Sequence, residues 1–322
     1  MTKSYSIGVL RGGPSSEYEV SLKSGASILK NIRDHHKVFD ILIDKEGTWH
    51  HHGSPKRPEH IFPHIDLFIN AMHGEYGEDG TVQKILDTHG ISYTGTRSFP
   101  SRVAMNKALT KKVLENEGIK TPVYKVLHKS DLSYNALIEF FRTFPHPMVI
   151  KPIGSGSSVG VFIVRTFTEL ENALLNVFAY SPTVMVEEYI PGKEATCGVI
   201  DNFREKDIYV LPPIEIRPAP GATFFDYEAK YGGKSEEVCP GNFTAEETKE
   251  LQEISARAHK ALDLRHYSRS DFIIHPRRGI YFLETNTLPG MTTESLFPKA
   301  LSAVGVSLSD FLEHLIELSM RR

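Results

Sequence analysis

Asp271 and Glu284 are two carboxylates separated by a hairpin-like segment, with Arg269 and Asn286 two residues outside them. The apolar runs Phe272 to Ile274 and Ile280 to Leu283 flank Pro276-Arg277-Arg278-Gly279, a β-hairpin pattern. With Arg277 and Arg278 as a two-residue loop, Asp271 faces Glu284 and Arg269 faces Asn286. Alternation along a strand puts all four side chains on one face. Directly opposed Cβ atoms lie roughly 5 Å apart. Two carboxylates and an amide oxygen at that spacing make a hard, all-oxygen site of the kind Mg²⁺ takes beside phosphates. Like charges placed opposite one another destabilise a sheet unless a cation sits between them. The plainer alternative is an exposed hairpin with solvated charges. The Pro289-Gly290 turn that follows favours a functional loop.

Other stretches supply elements that such a site needs. Ser6 to Leu10 reads as a buried strand, Arg11 to Ser16 as a turn, and the next segment as a helix carrying Val20, Leu22, Ile28 and Leu29. Strand, glycine turn and helix open an α/β sheet whose ligands gather at the carboxyl ends of the strands. The glycines do not spell G-x-G-x-x-G, so a dinucleotide-dependent oxidoreductase lacks its fingerprint. Glu17, in the first turn of that helix, either complements the positive helix end or holds an ammonium group. Asp66 to Asn70 is the next strand. The polar, glycine-rich His73 to Thr81 follows as a site loop, with Asp79 or Thr81 capping a helix over 82–88. His73 alone would be structural. Ile91 to Gly95 closes a first unit near residue 98.

A helix is expected over 101–117 and carries Lys107, Lys111 and Lys112, for any one of which a solvated face is the plainer alternative. Met148 to Pro152 and Val161 to Val164 are strands. Between them Ile153 to Gly160 is neither a Walker loop nor a kinase loop, yet its N–H groups and serines can cover phosphates. A plain glycine hairpin is the alternative. Lys151 adjoins it as a point charge for phosphate. Thr183 to Gly192 is a strand running into a kink, with edge backbone groups for a purine, and Glu194 suits sugar hydroxyls. Residues 196–216 give two strands. Phe224 to Ser235 reads as a lid, Ala245 to Leu262 as a helix, and 308–320 as a helix with Phe311, Leu312, Leu315 and Ile316 on one stripe.

The chain has 322 residues, enough for two or three subdomains. It is 40% hydrophobic and 24% charged, the composition of a soluble globular protein. A net charge of −3 gives no broad basic face, so no nucleic-acid partner is expected. Cys197 and Cys239 provide neither a disulfide framework nor a zinc quartet, which suits a cytoplasmic location. No apolar run approaches the roughly 20 residues that span a bilayer, so no membrane association is expected. His50-His51-His52 is expected to be a solvated loop rather than a metal site.

Taken together, six ordered blocks resemble the D-alanine–D-alanine ligases of the ATP-grasp superfamily over nearly the whole chain. They are Gly12-Gly13 with Ser15, Glu17, Glu19, Val20 and Ser21; His73-Gly74 with Gly77 to Thr81; Lys151-Pro152; Gly156 to Gly160; Asp226 to Tyr231; and Glu284 with Asn286, Thr287 and Pro289 to Thr292. The resemblance implies an α/β (α+β) ATP-grasp fold. It implies an N-terminal open α/β substrate domain at 1–98, a central subdomain with the phosphate flap at 99–194, and a C-terminal subdomain with lid and metal site at 195–322. Two D-alanines would be joined through a D-alanyl phosphate and a tetrahedral intermediate, for peptidoglycan precursor synthesis. Lys107, Lys151 and the flap, with Gly156 and Ser158, would hold ATP phosphates; Glu187, Glu188, Ile190 and Glu194 would hold adenosine. Asp271, Glu284 and Asn286 would bind two Mg²⁺ (or Mn²⁺). Arg269 and the Gly290 N–H would form the oxyanion hole. Glu17, through Ser157 and Tyr231, would anchor the first amino group, with His73 lining that site. Ser295, Lys230 and Leu296 would meet the second substrate. A homodimer is implied as well. Ser268 and Ser270, Thr285, Leu288 and Glu188 depart from the usual pattern, and none removes a metal ligand. Rival expectations are a D-alanine–D-lactate ligase, against which Tyr231 speaks, and a non-catalytic nucleotide-binding module.

Overall fold

The computed structural model describes residues 3–154, 160–217 and 235–321. Their strands form three sheets. In the first, β1 (Ser6–Gly12) lies between β2 (Lys37–Ile43) and β5 (Leu67–Asn70) and runs parallel to both. β3 (Trp49–His51) and β4 (Ser54–Pro55) continue beyond β2, and β6 (Ser92–Tyr93) beyond β5. Strand β1 is apolar without alternation because both of its faces are covered. Ile7 and Val9 enter one core with Ile28, while Leu10 enters another with Ile41, Trp49 and Phe68. The chain leaves β1 on one side for β2 and returns on the other at β5. The carboxyl ends of β1 and β5 therefore flank a crevice at a topological switch point.

Of the four apolar residues expected on helix α1 (Tyr18–Asn31), Ile28 alone is buried. Val20, Leu22 and Leu29 are only half-buried; the buried face is Ser21, Ser24, Gly25 and Ile28. Small residues bring the helix backbone close to the sheet, and a Cβ on Gly25 would come within 2.5 Å of the Arg11 Cβ. The serines on that face remain free to bind the loop after β5. Helices α2 (Pro58–Ile61) and α3 (Thr81–Thr88) complete this part. Gly80 occupies the α3 cap in a left-handed conformation, and Asp79 accepts a hydrogen bond from the Thr81 N–H. The histidine run 50–52 is partly strand rather than loop, and His50 Nε2 sits 2.7 Å from Asp44.

The single helix expected over 101–117 is two, α4 (Ser98–Met105) and α5 (Lys107–Asn116). Asn106 breaks the run by adopting extended geometry, and its side chain accepts from the N–H groups of Ala108 and Leu109. The second sheet is antiparallel in the order β7 (Tyr124–His128), β10 (Thr183–Glu188), β8 (Met148–Pro152), β9 (Phe162–Val164). It is covered by α6 (Tyr134–Thr143) and α7 (Phe167–Phe178) over a core that includes Phe140, Ile150 and Leu170.

The third sheet holds β11 (Lys193–Phe203), β12 (Lys206–Val210), β13 (Ile214–Arg217), β14 (Glu236–Val238), β15 (Tyr267–His275) and β16 (Gly279–Asn286). Strands β11 to β13 fill the stretch where the sequence suggests only two. Helix α8 (Ala245–Ala261) opens with a capping box of Thr244 and Glu247. After α9 (Leu296–Ala303), the last helix α10 (Leu308–Met320) buries Phe311, Leu312, Leu315 and Ile316 as expected. That stripe packs back against Ile7 and Val9 of the first sheet, Tyr267 of the third and Phe297 of α9, joining both ends of the chain in one core. Phe311→Ala should therefore cost about 3–5 kcal/mol, read as a lower urea midpoint with an unchanged slope. An unaltered midpoint would contradict this shared core.

Candidate active site

The β15–β16 hairpin reaches the expected pairing by an unexpected route. Its turn is one residue longer than a two-residue loop: His275 pairs with Gly279, and Gly279 takes the left-handed conformation. His275 Nδ1 accepts from the N–H groups of both Arg277 and Arg278 at 3.0 Å. That turn alone would shift every later pair by one residue. A bulge restores the register: Phe272 faces Phe282 but Asp271 faces Glu284, leaving Leu283 unpaired. Asp271 thus stands opposite Glu284 and Arg269 opposite Asn286, on one face of the sheet.

Each acid already has a cation. Glu284 Oε2 lies 3.1 Å from Lys107 Nζ. Arg269 grips Asp271 with Nε at 3.0 Å and Nη2 at 3.2 Å. Thr196 Oγ1 donates to Asp271 Oδ1 at 2.6 Å, and Asn286 Nδ2 to Oδ2 at 3.1 Å. These pairs relieve the repulsion that two opposed carboxylates would otherwise feel. A cavity beside them is lined by Glu78, Lys107, Glu284 and Asn286. The donor set is all oxygen and partly screened from water, which fits a hard divalent ion.

Lys107 is the first residue of α5, and its N–H donates to the Ile153 carbonyl. That bond joins the helix start to the segment beyond Lys151. Lys151 Nζ lies 2.8 Å from Glu187 Oε2, and Lys111 Nζ 3.0 Å from Glu187 Oε1. Lys111 is fully buried, so the plainer alternative of a solvated face does not hold for it. The signal that would have found it is the four-residue spacing from Lys107, which puts both lysines on one side of the helix. Both charges on the lysines hold the Glu187 carboxyl below its ordinary range against the cost of burial.

Of the segment expected to offer edge groups to a purine, the part in β10 is not at an edge, while 189–192 lies beyond the strand. β10 lies between β7 and β8, and the N–H groups of Glu188 and Tyr189 donate to the carbonyls of Val123 and Pro147. Glu188 pairs through Oε1 with Arg278 Nη1 at 2.6 Å, linking the second sheet to the hairpin turn. Ile190 is buried, and Glu194 is half-buried on β11.

At the switch point, Glu17 and His73 are both buried. His73 Nε2 lies 2.8 Å from Ser24 Oγ, and its N–H donates to Ser21 Oγ, so the small face of α1 seats this loop. Burial pushes the His73 ring below its ordinary range, with the Glu17 charge and the Leu288 backbone opposing. Glu78, which sequence alone assigned no role, accepts from the N–H groups of Gly74 at 2.8 Å and Leu288 at 3.1 Å. It thereby staples the loop after β5 to the loop after β16. Burial, reinforced by the Glu17 charge, raises its carboxyl to about 8. A carboxyl with a raised folded pKa stabilises the fold at low pH, and that contribution is lost as pH rises from about 4.5 to about 8. Glu78→Gln should therefore lose less stability than the parent protein between pH 5 and pH 8. Glu78→Ala, which strands two N–H groups, should cost about 1–3 kcal/mol. Chemical unfolding at the two pH values checks both, and identical pH slopes for parent and Glu78→Gln would contradict the assignment.

Gly290 and Ser295 are adjacent: a Cβ on Gly290 would fall 2.7 Å from Ser295 Oγ. Ser295 Oγ accepts from the Thr292 N–H at 3.2 Å and contacts Thr292 Oγ1 at 2.8 Å. Leu296 opens α9 and packs beside Ile216. Gly156, Ser157, Ser158, Lys230 and Tyr231 lie outside the described residues. Elsewhere, His35, His36 and Glu313 form a trio with the spacing of metal ligands. His36 Nδ1 accepts the Tyr5 N–H, however, which leaves the ring proton on Nε2 facing Glu313. That nitrogen has no lone pair to offer.

The chain matches the family models described as D-ala D-ala ligase N-terminus over residues 6–62 and D-ala D-ala ligase C-terminus over residues 113–317. It is 38% identical over 317 residues to a D-alanine–D-alanine ligase of Clostridium beijerinckii, covering 98% of both chains. Among solved structures, the D-alanine–D-alanine ligase of Bacillus anthracis complexed with ATP superposes with a TM-score of 0.81 at 34% identity, covering 98% of both chains. The VanG D-Ala:D-Ser ligase of Enterococcus faecalis gives a TM-score of 0.85 at 30% identity, covering 99% of this chain and all of that one.

Proposed function

The chain belongs to the D-alanine–D-alanine ligase family, and on that premise we infer that it joins two D-alanines in an ATP-dependent reaction that serves peptidoglycan synthesis. The observation that carries this inference is the opposed pair Asp271 and Glu284, flanked on the same face by Arg269 and Asn286. The products are D-alanyl-D-alanine, ADP and phosphate. The units 1–98, 99–194 and 195–322 would enclose the reactants, with ATP between the second and third. We place the enzyme in the cytoplasm as a homodimer.

Asp271, Glu284 and Asn286 would hold two Mg²⁺ (or Mn²⁺) ions. Bound there, divalent ions neutralise charge on the transferred phosphoryl group. Lys107 and Lys151 then turn from their carboxylate partners to phosphate oxygens. Glu17 and His73 hold the first D-alanine so that its carboxylate meets the γ-phosphate of ATP. The carboxylate oxygen bonds to phosphorus, the bond to ADP breaks, and a D-alanyl phosphate results. The amine of the second D-alanine, whose carboxylate Ser295 meets, attacks the acyl carbon. Arg269 and the Gly290 N–H receive the negative charge that develops on the carbonyl oxygen. Collapse expels phosphate. Gly156, Ser157 and Ser158 would cover the phosphates, with Lys230 and Tyr231 closing over the substrates. Such cover matters because water destroys an acyl phosphate.

The test is isotopic. D-Alanine labelled with ¹⁸O in its carboxylate should yield phosphate carrying one labelled oxygen. Unlabelled phosphate, or release of pyrophosphate, would refute the acyl-phosphate route. D-Serine and D-lactate offered as second substrates should compete poorly with D-alanine; preferential use of either would reassign acceptor specificity.

A further inference from the structure

We propose that Lys111 is a positioning residue for nucleotide binding: by holding Glu187 permanently, it leaves Lys151 available to a phosphate group. This deepens the ATP-dependent ligase assignment and rests on it.

Three buried charges meet here. Lys111 comes from α5, Glu187 from the central strand β10 and Lys151 from the neighbouring strand β8. The Lys111 side chain is 0% exposed and that of Glu187 3%. Lys111 Nζ reaches Glu187 Oε1 at 3.0 Å, while Lys151 Nζ takes Oε2 at 2.8 Å. The Tyr124 ring of β7 closes the other side, 5.4 Å from Lys111 Nζ. Two ammonium groups share one carboxylate, so the trio carries one surplus positive charge away from water. Buried charge that lacks a partner is costly, and an anion entering beside it is correspondingly favoured.

Of the two lysines, Lys151 is the one next to the phosphate segment. It lies two residues before Ile153, whose carbonyl receives the Lys107 N–H. If Lys151 were the only partner of Glu187, moving its ammonium to a phosphate would strand a buried carboxylate. Lys111 removes that penalty. Glu187 thus works on the nucleotide at least in part through the lysines: Lys151 takes Oε2, and Lys111 pairs its charge with Oε1.

The surplus charge is felt at Lys111. Burial lowers its pKa to about 8; Glu187 and Glu115 oppose the shift, and Lys151 reinforces it. Below that value the trio holds its extra charge. As pH rises through about 8, Lys111 becomes neutral, Glu187 retains Lys151, and phosphate affinity falls.

Binding of ATP, ADP and adenosine to the full-length protein at pH 7.5 tests the proposal. Lys111→Met should weaken ATP and ADP at least tenfold and leave adenosine within twofold. Equal weakening of adenosine would mean general damage to the pocket, and unchanged ATP binding would mean no role; either overturns the proposal. The parent protein gives a second test that needs no variant. Its preference for ATP over adenosine should fall severalfold between pH 7.5 and pH 9, and a constant preference overturns the proposal. A parent protein that binds no ATP at pH 7.5 would instead refute the ligase assignment itself.

Discussion

Glu284→Ala is expected to lower turnover on the order of a thousandfold, a loss of several kcal/mol of transition-state stabilisation, while the fold survives. Glu284 lies on a sheet face beside the cavity, and its side chain is 23% exposed, so truncation opens no void in the apolar core. The Lys107 ammonium loses a partner, but its backbone anchor to Ile153 is untouched. What disappears is one of two opposed carboxylates, and with it a ligand that, on the proposed function, would hold divalent ions against the transferred phosphoryl group. Phosphate release at saturating ATP and D-alanine, with a circular-dichroism melt on the same sample, measures both effects. Turnover within tenfold of the parent would remove Glu284 from the metal site. A collapsed melt would show its role to be structural.

Arg269→Lys should reduce kcat by roughly 100- to 1000-fold and leave the KM for ATP nearly unchanged. Lysine keeps the charge but lacks the planar fork that grips Asp271 with two nitrogens and would reach the developing oxyanion with the same rigidity. Asp271 stays in place without it, since Thr196 and Asn286 also donate to it. The substitution therefore isolates the donor function. A variant whose KM for ATP rises while kcat holds would move Arg269 from the acyl centre to the nucleotide site.

The pairing of Asp271 with Glu284 was legible in the sequence, although the path to it was not. Apolar runs mark two strands, and a glycine marks a turn. Neither reveals that the turn is one residue longer than its simplest form and that a bulge at Leu283 restores the register. Two local irregularities cancel, and each depends on contacts the sequence does not display, such as His275 capping the turn. The stripe of α10 was legible because four large apolar residues at helical spacing admit one orientation. The inner face of α1 was not. Its buried residues are small and polar, because the helix must approach the sheet closely and seat His73 through Ser21 and Ser24. Lys111 was hidden for a related reason. A lysine on a helix is ordinarily solvated; its four-residue spacing from Lys107 puts it on the same side of the helix, but the partner that buries it, Glu187 on a central strand, shows only in the fold. Glu78 stood within a recognised block, but its partner Leu288 is 210 residues away, beyond the reach of local pattern.

The most direct measurement is the mass and stoichiometry of what the protein makes from ATP, Mg²⁺ and D-alanine alone. The expected result is the D-alanyl dipeptide, with one ADP and one phosphate for each dipeptide formed. ATP bound without turnover, or phosphate released with no dipeptide, would contradict the assignment of this chain as a D-alanine–D-alanine ligase.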